Sequence, residues 1–403
     1  MASPASRGHG APMNRARPQE DFPSGDRLEH ELDGNRLTIT GSGPELRDML
    51  VALIDGARES LRLYYYIFAA DASGRLVLAR LVRAARRGVE VTLMVDAFGC
   101  VELPSGFFAP LERAGGQVRW FGSSWSTRYL IRNHQKMAIA DDARAMIGGF
   151  NVADAYFGIP EGDCWHDLGL LIEGPEAQVL ARWYRWLWDW VTSRHQRFRR
   201  LRAMVRGWKD RRAPLRWLVG GPARRLSPWA RTVRDDLEGA RQVDMIAAYF
   251  SPGNGMLARL RRVAARGRLR LVLPSRSDNR ATVSAARLLY GPLLRRGARI
   301  YEYLPCRLHM KLIVIDDIVY IGSANFDMRS LFLNLELMLR IEDAALADRM
   351  RAFVEARAEV SEAVDPVRHR ASQTPLRLLK RWISYFLVGI LDYKVTRRLN
   401  FYE

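Results

Sequence analysis

Lysine is scarce in this chain, five residues against 58 arginines, and cysteine is scarcer, with Cys100, Cys164 and Cys306 alone. The three cysteines are far apart, odd in number and form no Cys-x-x-Cys pair. That argues against a disulfide framework or a thiolate zinc site and fits a reducing compartment. No Asp-x-Asp cluster or His-Cys set suggests a metal, and neither metal nor cofactor is expected. No apolar run reaches the roughly twenty residues a helix needs to cross a bilayer. The longest, Trp382 to Leu391, covers about half that length. Residues 1–26 hold no apolar stretch and are rich in Pro, Gly, Ser, Ala and Arg; they read as a disordered basic leader with neither signal peptide nor span. Acidic residues are outnumbered, 44 against 63 basic, leaving a net charge of +19. Polyanionic partners follow, either nucleic acid or an anionic membrane surface.

Two of the five lysines fall at matched places in a repeated segment. Asn133-His134-Gln135-Lys136, with Asp141 and then Gly148-Gly149-Phe150-Asn151, returns as Leu308-His309-Met310-Lys311, with Asp316 and then Gly322-Ser323-Ala324-Asn325. His, Lys and Asp recur at one offset of 175 residues, and Asn at 174. A compact ammonium and a planar guanidinium are not interchangeable, so a repeated Lys in an Arg-rich chain points to a site that demands it. Each copy predicts two short apolar strands joined by a tight Asp-Asp turn. Alternate residues of a strand share a face, so His and Lys point one way and the Asp the other. Asp141 and Asp316 therefore read as turn-holding residues within the repeated pattern. Gly149 permits close backbone approach, while Ser323, Asn151 and Asn325 offer polar groups beside it.

The pattern His-x-Lys-x4-Asp, followed by Gly-Gly or Gly-Ser and then x-Asn, resembles the hallmark of the phospholipase D superfamily. Within it the chain is most similar to the bacterial cardiolipin synthases of the short type that lacks amino-terminal membrane spans. The resemblance runs from about Leu46 to about Ile341 and implies an α/β fold. It implies two similar sandwich halves related by a pseudo-twofold axis, with the active site at their interface. It also implies His134 as nucleophile and His309 as acid/base, beside Lys136, Lys311, Asp141 and Asp316. Carboxylates at Asp167 and Glu336 would each accept a hydrogen bond from a catalytic imidazole; Asp167 matches less well in spacing. His166 has no counterpart in the second copy and reads as a polar neighbour.

Strand–helix alternation supports the two halves independently. Leu46–Leu61 reads as a helix, Leu63–Phe68 as a buried strand and Arg75–Arg87 as a second helix. Ile246–Phe250, Met256–Gly267 and Leu269–Leu273 answer the strand, second helix and next strand (Val89–Val95) of the first half. The chain is expected to divide into the leader at 1–26, a first half at 27–192, a basic Trp/Arg-rich segment at 193–234, a second half at 235–365 and a tail at 366–403. Seven of eleven tryptophans lie between Arg182 and Arg234 among many arginines. Apolar surface interleaved with cations suits an interfacial segment, with a core helix followed by a solvated linker as the alternative. The tail, with Arg377, Lys380 and Arg381 before its apolar run, reads as a membrane-associating anchor, a docked helix or an oligomer contact.

Two imidazoles and two ammonium groups meeting at one place suit phosphodiester exchange. Lys136, Lys311, Asn151 and Asn325 would meet the phosphate charge. One His would attack phosphorus and the other move the proton. The expected activity is a phosphatidyltransferase that joins two phosphatidylglycerol molecules into cardiolipin and glycerol, peripheral on the cytoplasmic side of a bacterial cell membrane. A phospholipid hydrolase, or a nuclease of the same superfamily, stands as the alternative. The Trp-rich and terminal apolar segments favour anionic phospholipid over nucleic acid as partner, and the oligomeric state is open.

Overall fold

The computed structural model describes residues 27–122, 131–158, 164–194, 198–208, 214–222, 226–277, 279–372 and 374–386. The expected leader at 1–26 and the tail beyond residue 386 lie outside these. Two eight-stranded sheets form the frame. The first runs in spatial order Leu28–Leu32, Asn35–Thr40, Gly169–Glu173, Arg144–Gly148, Met137–Ala140, Ser60–Tyr65, Glu90–Asp96, Gln117–Phe121. The second runs Leu215–Gly220, Glu336–Glu342, Ile318–Gly322, Lys311–Ile315, Gln242–Ala247, Arg268–Pro274, Arg299–Tyr303, Ser361–Ala363. Seven strands correspond in the same order; only the edges differ, with Leu28–Leu32 added to one sheet and Ser361–Ala363 to the other. This is the mixed α/β architecture of two like halves.

Two helices of the first half begin where a side chain caps them. Ser42 accepts from the Glu45 amide ahead of the helix Gly43–Asp55, and Asp71 accepts from the Gly74 amide at the start of Ala72–Arg86. Such caps satisfy amides that the helix itself leaves bare. The first of these helices stops at Asp55 rather than continuing to Leu61. The Asp141 carboxylate takes the amides of Arg58, Glu59 and Ser60, which binds that stretch to the sheet. Asp316 holds the amides of Arg241 and Gln242 in the same way. Both aspartates sit at positive φ, 55° and 46°, a region in which Asp is tolerated better than bulky residues.

The largest core lies in the seam between the sheets. Their inward faces contribute Met137, Ile139, Leu312 and Val314, and two equivalent helices, Pro175–Thr192 and Ala344–Glu359, fill the remaining space. Outer helices close separate cores over the far face of each sheet.

Much of the segment 193–234, expected to be a linker or membrane-interface element, is instead part of the packed fold. Trp183, Trp190, Trp208, Trp217 and Trp229 are all buried, and Leu215–Gly220 is a strand of the second sheet, paired antiparallel to Glu336–Glu342. That strand is the counterpart of Asn35–Thr40, so the second half begins near residue 214 rather than 235. The indoles are tied inward: Trp183 donates to Gln135, Trp208 to the Trp217 carbonyl and Trp217 to the Glu176 carbonyl. An indole that finds both a packed site and an acceptor gains nothing from a lipid headgroup region. Of the described tryptophans in this stretch, Trp186 alone is well exposed.

Candidate active site

The two halves grip each other through a pair of equivalent contacts. Asn133 bridges Leu335, and the parallel two-residue strands Arg307–Leu308 and Trp165–His166 pair at the matching place. The His134 amide donates to the Leu335 carbonyl at 2.9 Å, and the His309 amide to the His166 carbonyl at 2.8 Å. Each histidine of the repeated motif is thus fixed by the opposite half, next to the carboxylate that follows in that half. Sheet register settles the equivalence of the carboxylates. Gly148 pairs with Gly169 and Gly322 with Met338, so Asp167 and Glu336 occupy matching positions despite their different spacing.

The carboxylates therefore cross the seam. Asp167 Oδ2 lies 2.5 Å from Nδ1 of His309, and Glu336 Oε1 lies 3.5 Å from Nδ1 of His134. The sequence located both acids without showing that each serves the other half's imidazole. Charge-assisted bonds of the first kind fix the ring and its tautomer. The two halves differ in what surrounds the acid. Glu336 accepts from Ser323 at 2.6 Å and from Ser330 at 2.9 Å, whereas Asp167 accepts from its neighbour's amide, Leu168. Ser323, placed by sequence among substrate-binding residues, spends its hydroxyl on Glu336. Its counterpart Gly149 has no room for a side chain: a Cβ there would lie 2.4 Å from Asp167 Oδ1 and 2.9 Å from Lys311 Cδ.

Both lysines are buried beside the histidines. Lys136 Nζ donates to the His134 carbonyl at 2.6 Å, and Lys311 Nζ donates to the His309 carbonyl while sitting 2.8 Å from His309 Nδ1. Burial lowers Lys136 to about 8 and Lys311 to about 7. Burial also holds His309 down at about 4 and His134 well below its usual range, with Lys136 and nearby arginines adding to the effect. Glu336 is pushed up to about 7 by the same loss of water. Without ligand, then, the imidazoles are neutral near pH 7 and the ammonium groups are poised to lose charge.

Aromatic rings complete the walls. Tyr66 meets His134 edge-on at 4.4 Å between centroids, with Lys136 Nζ 5.3 Å from its ring centre. His309 is flanked by Trp165 at 5.1 Å and Tyr156 at 5.3 Å. Asn334 occupies the place equivalent to Trp165, and its Nδ2 reaches 3.4 Å from His134 Nδ1. Sequence reasoning missed Tyr66, Tyr156, Ser330 and Asn334. Asn334 stands two residues before Glu336, a legible clue once the acid is known; the others carry no local signal.

The remaining expected residues divide. Asn151 is committed to the local fold, accepting from the Ile67 amide and donating to Tyr156 Oη. Asn325 is buried with its Oδ1 unpartnered, leaving a polar group in the site without an occupation. Asp141 and Asp316 are held at the far strand ends by the amides described above. His166 is turned into the core, with Nδ1 2.6 Å from Tyr303 Oη, and burial lowers it to about 3. Among the described residues no group of three or more His, Cys, Asp or Glu is placed to hold a metal ion.

A duplicated α/β frame that sets two His-Lys pairs and two carboxylates across one seam is the frame of a phosphoryl-group transfer enzyme. The family model described as "Cardiolipin synthase, PLD-like domain" matches residues 50–188 and 233–357. Cardiolipin synthase A of Pseudomonas putida is 30% identical over 364 residues, covering 87% of this chain and 74% of that protein. Cardiolipin synthase A of Pseudomonas aeruginosa (strain LESB58) is 29% identical over 333 residues, covering 81% and 67%. The fold of phosphatidylserine synthase from Haemophilus influenzae Rd KW20 superposes with a TM-score of 0.68 at 14% identity, covering 92% of this chain and 96% of that one. The chain belongs to the cardiolipin synthase family of PLD-like phosphatidyltransferases.

Proposed function

We propose that the site moves a phosphatidyl group from one phosphatidylglycerol to the headgroup hydroxyl of a second, forming cardiolipin and glycerol through a phosphohistidine. The observation that carries this reading is the crossed arrangement of two complete but unequal half-sites. His309 is bound at 2.5 Å to Asp167, whereas His134 stands 3.5 Å from a Glu336 already occupied by two serines. An imidazole backed by a carboxylate suits proton transfer, because its cation is stabilised. A neutral, less engaged imidazole keeps its lone pair for attack. His134 Nε2 is buried and without a hydrogen-bond partner, as a nucleophile awaiting phosphorus would be.

In the first step His134 Nε2 bonds to phosphorus and the bond from phosphorus to the glycerol oxygen breaks, with His309, protonated once the phosphodiester anion is seated beside it, giving that oxygen its proton. In the second, His309 takes the proton from the hydroxyl of the second phosphatidylglycerol. That oxygen then bonds to phosphorus as the phosphorus–nitrogen bond breaks. Lys136 and Lys311 neutralise the phosphoryl oxygens in both steps. Asn325 supports them as a polar group without another task. The partners are anionic phospholipids at the cytoplasmic surface of a bacterial membrane, with the protein held peripherally. No helix among the described residues is long and apolar enough to cross a bilayer.

The test is incubation of the purified protein with phosphatidylglycerol vesicles. Cardiolipin and free glycerol in equal amounts are the expected products. Phosphatidic acid alone would replace the transferase reading with hydrolysis, and intact lipid beside cut DNA or RNA would replace it with a nuclease.

A further inference from the structure

Beside the second half lies a cavity that no step above uses. It measures about 670 Å³ and opens between the loop after Arg268–Pro274, the helix Arg280–Leu294 and the helix Pro375–Tyr385. Seven of its eleven lining residues are Arg or Lys and none is acidic. Arg276, Arg280 and Arg287 come from one side, and Arg377, Lys380 and Arg381 from the other. Arg287 is answered by Glu302 at 2.6 Å, but Arg381 keeps a buried Nη1 with no hydrogen-bond partner. Like charges gathered in a concave site repel one another, and such a cluster persists where a polyvalent anion balances it.

The helix Pro375–Tyr385 adds a second, independent observation. Thr374 caps it and Tyr385 packs on the core of the second half. Its cations at 377, 380 and 381 share one face and line the cavity. Leu376, Leu379, Trp382, Ile383 and Phe386 share another, and these are 43–77% exposed. Five large apolar side chains turned outward along one stripe are costly in water and suited to the headgroup–acyl boundary of a bilayer. The helix therefore sets an apolar stripe and a basic cavity side by side.

We propose that this cavity binds the phosphate of an anionic phospholipid in the membrane, a lipid other than the one undergoing transfer, while the outer stripe of the helix lies in the same leaflet. Arg307 joins this site to the catalytic pair. It lines the cavity and places its guanidinium 5.4 Å from the centre of the Trp165 ring, which in turn packs on His309. The seated lipid would be linked to His309 through Arg307 and Trp165 without touching the His-Lys groups. The inference shares with the proposed function only the presence of an anionic bilayer. Its test reads binding rather than turnover, so either can fail alone.

The experiment is co-sedimentation of the full chain with phosphatidylglycerol and with phosphatidylcholine vesicles. Arg377→Gln/Lys380→Gln/Arg381→Gln should weaken binding to phosphatidylglycerol vesicles about a hundredfold, at about a factor of five per cation. Binding to phosphatidylcholine should stay as it was. A control that removes three exposed charges elsewhere, Arg75→Gln/Arg86→Gln/Arg113→Gln, should change either by less than about threefold. Leu379→Ser/Trp382→Ser should weaken binding to both lipids. Equal losses in cavity and control variants, or none in the cavity variant, would overturn the site. Calorimetric binding of inorganic phosphate at the cavity, with vesicle binding unchanged by its cations, would reassign it to a free phosphate and overturn the lipid assignment.

Discussion

Replacing Gly149 by alanine tests whether the Asp167–His309 contact governs catalysis. The new Cβ would lie 2.4 Å and 2.8 Å from the two Asp167 carboxylate oxygens and 2.9 Å from Lys311 Cδ, where ordinary contact between heavy atoms is roughly 3.5 Å. Asp167 must then move away from the seam, and the 2.5 Å contact to His309 opens. A hydrogen bond to a charged group is worth about 1.5–3 kcal/mol. If that energy is needed in the proton-transfer step, kcat falls about ten- to 150-fold. Overpacking should cost about 1–3 kcal/mol of stability, leaving a protein of ordinary stability folded. The assay is initial-rate conversion of phosphatidylglycerol beside a thermal melt. Ser323→Ala at the matching position removes one of two hydroxyls on Glu336, and should cost only about fivefold. Full activity in Gly149→Ala, with an unchanged melting temperature, would refute the argument.

Further outcomes follow from the same geometry. Asp141→Ala removes the acceptor for three backbone amides and should cost about 2 kcal/mol in urea unfolding, while the folded fraction keeps its turnover; an inactive protein of parental stability would contradict this. Lys311 and Lys136, lowered to about 7 and about 8, carry charge below those values and lose it above. Inorganic phosphate should therefore bind less tightly as pH rises from 6.5 to 9, and Lys311→Met should flatten the lower part of that curve in a calorimetric titration. Stability of the ligand-free protein moves the other way. Between about 7 and 10 the unfolded chain holds protons these lysines have given up, so melting temperature should rise with pH relative to Lys311→Met. Trp217→Ala empties a buried site between strand and helix and should cost about 3–5 kcal/mol, with no change in lipid affinity of the protein that remains folded.

Much of the fold was legible because the chain repeats itself. The constant offset of His, Lys and Asp announces two like halves, and the alternating strands and helices give their class. What stayed hidden depends on the seam. No local feature says that Asp167 serves His309 rather than His134. That pairing arises only when parallel bridges at Asn133–Leu335 and Leu308–His166 bring the halves together. Spacing could not align the two acids, since Asp167 stands nineteen residues after Gly148 and Glu336 fourteen after Gly322. Sheet register does so at once. The tryptophans misled because Trp interleaved with Arg reads alike whether its apolar face meets lipid or a core. The strand Leu215–Gly220 is short and follows an arginine run, so its pairing with Glu336–Glu342 left no mark in composition. The terminal helix is the reverse case, since its apolar residues are the ones that face outward.

In the proposed mechanism His134 carries the phosphatidyl group while His309 moves the proton. Rapid acid-free quenching after mixing with phosphatidylglycerol, followed by peptide mass spectrometry, examines this directly. A phosphatidyl adduct on the peptide holding His134, acid-labile and absent from His134→Ala, is the expected result. An adduct on His309 instead, or cardiolipin formation by His134→Ala, would contradict it.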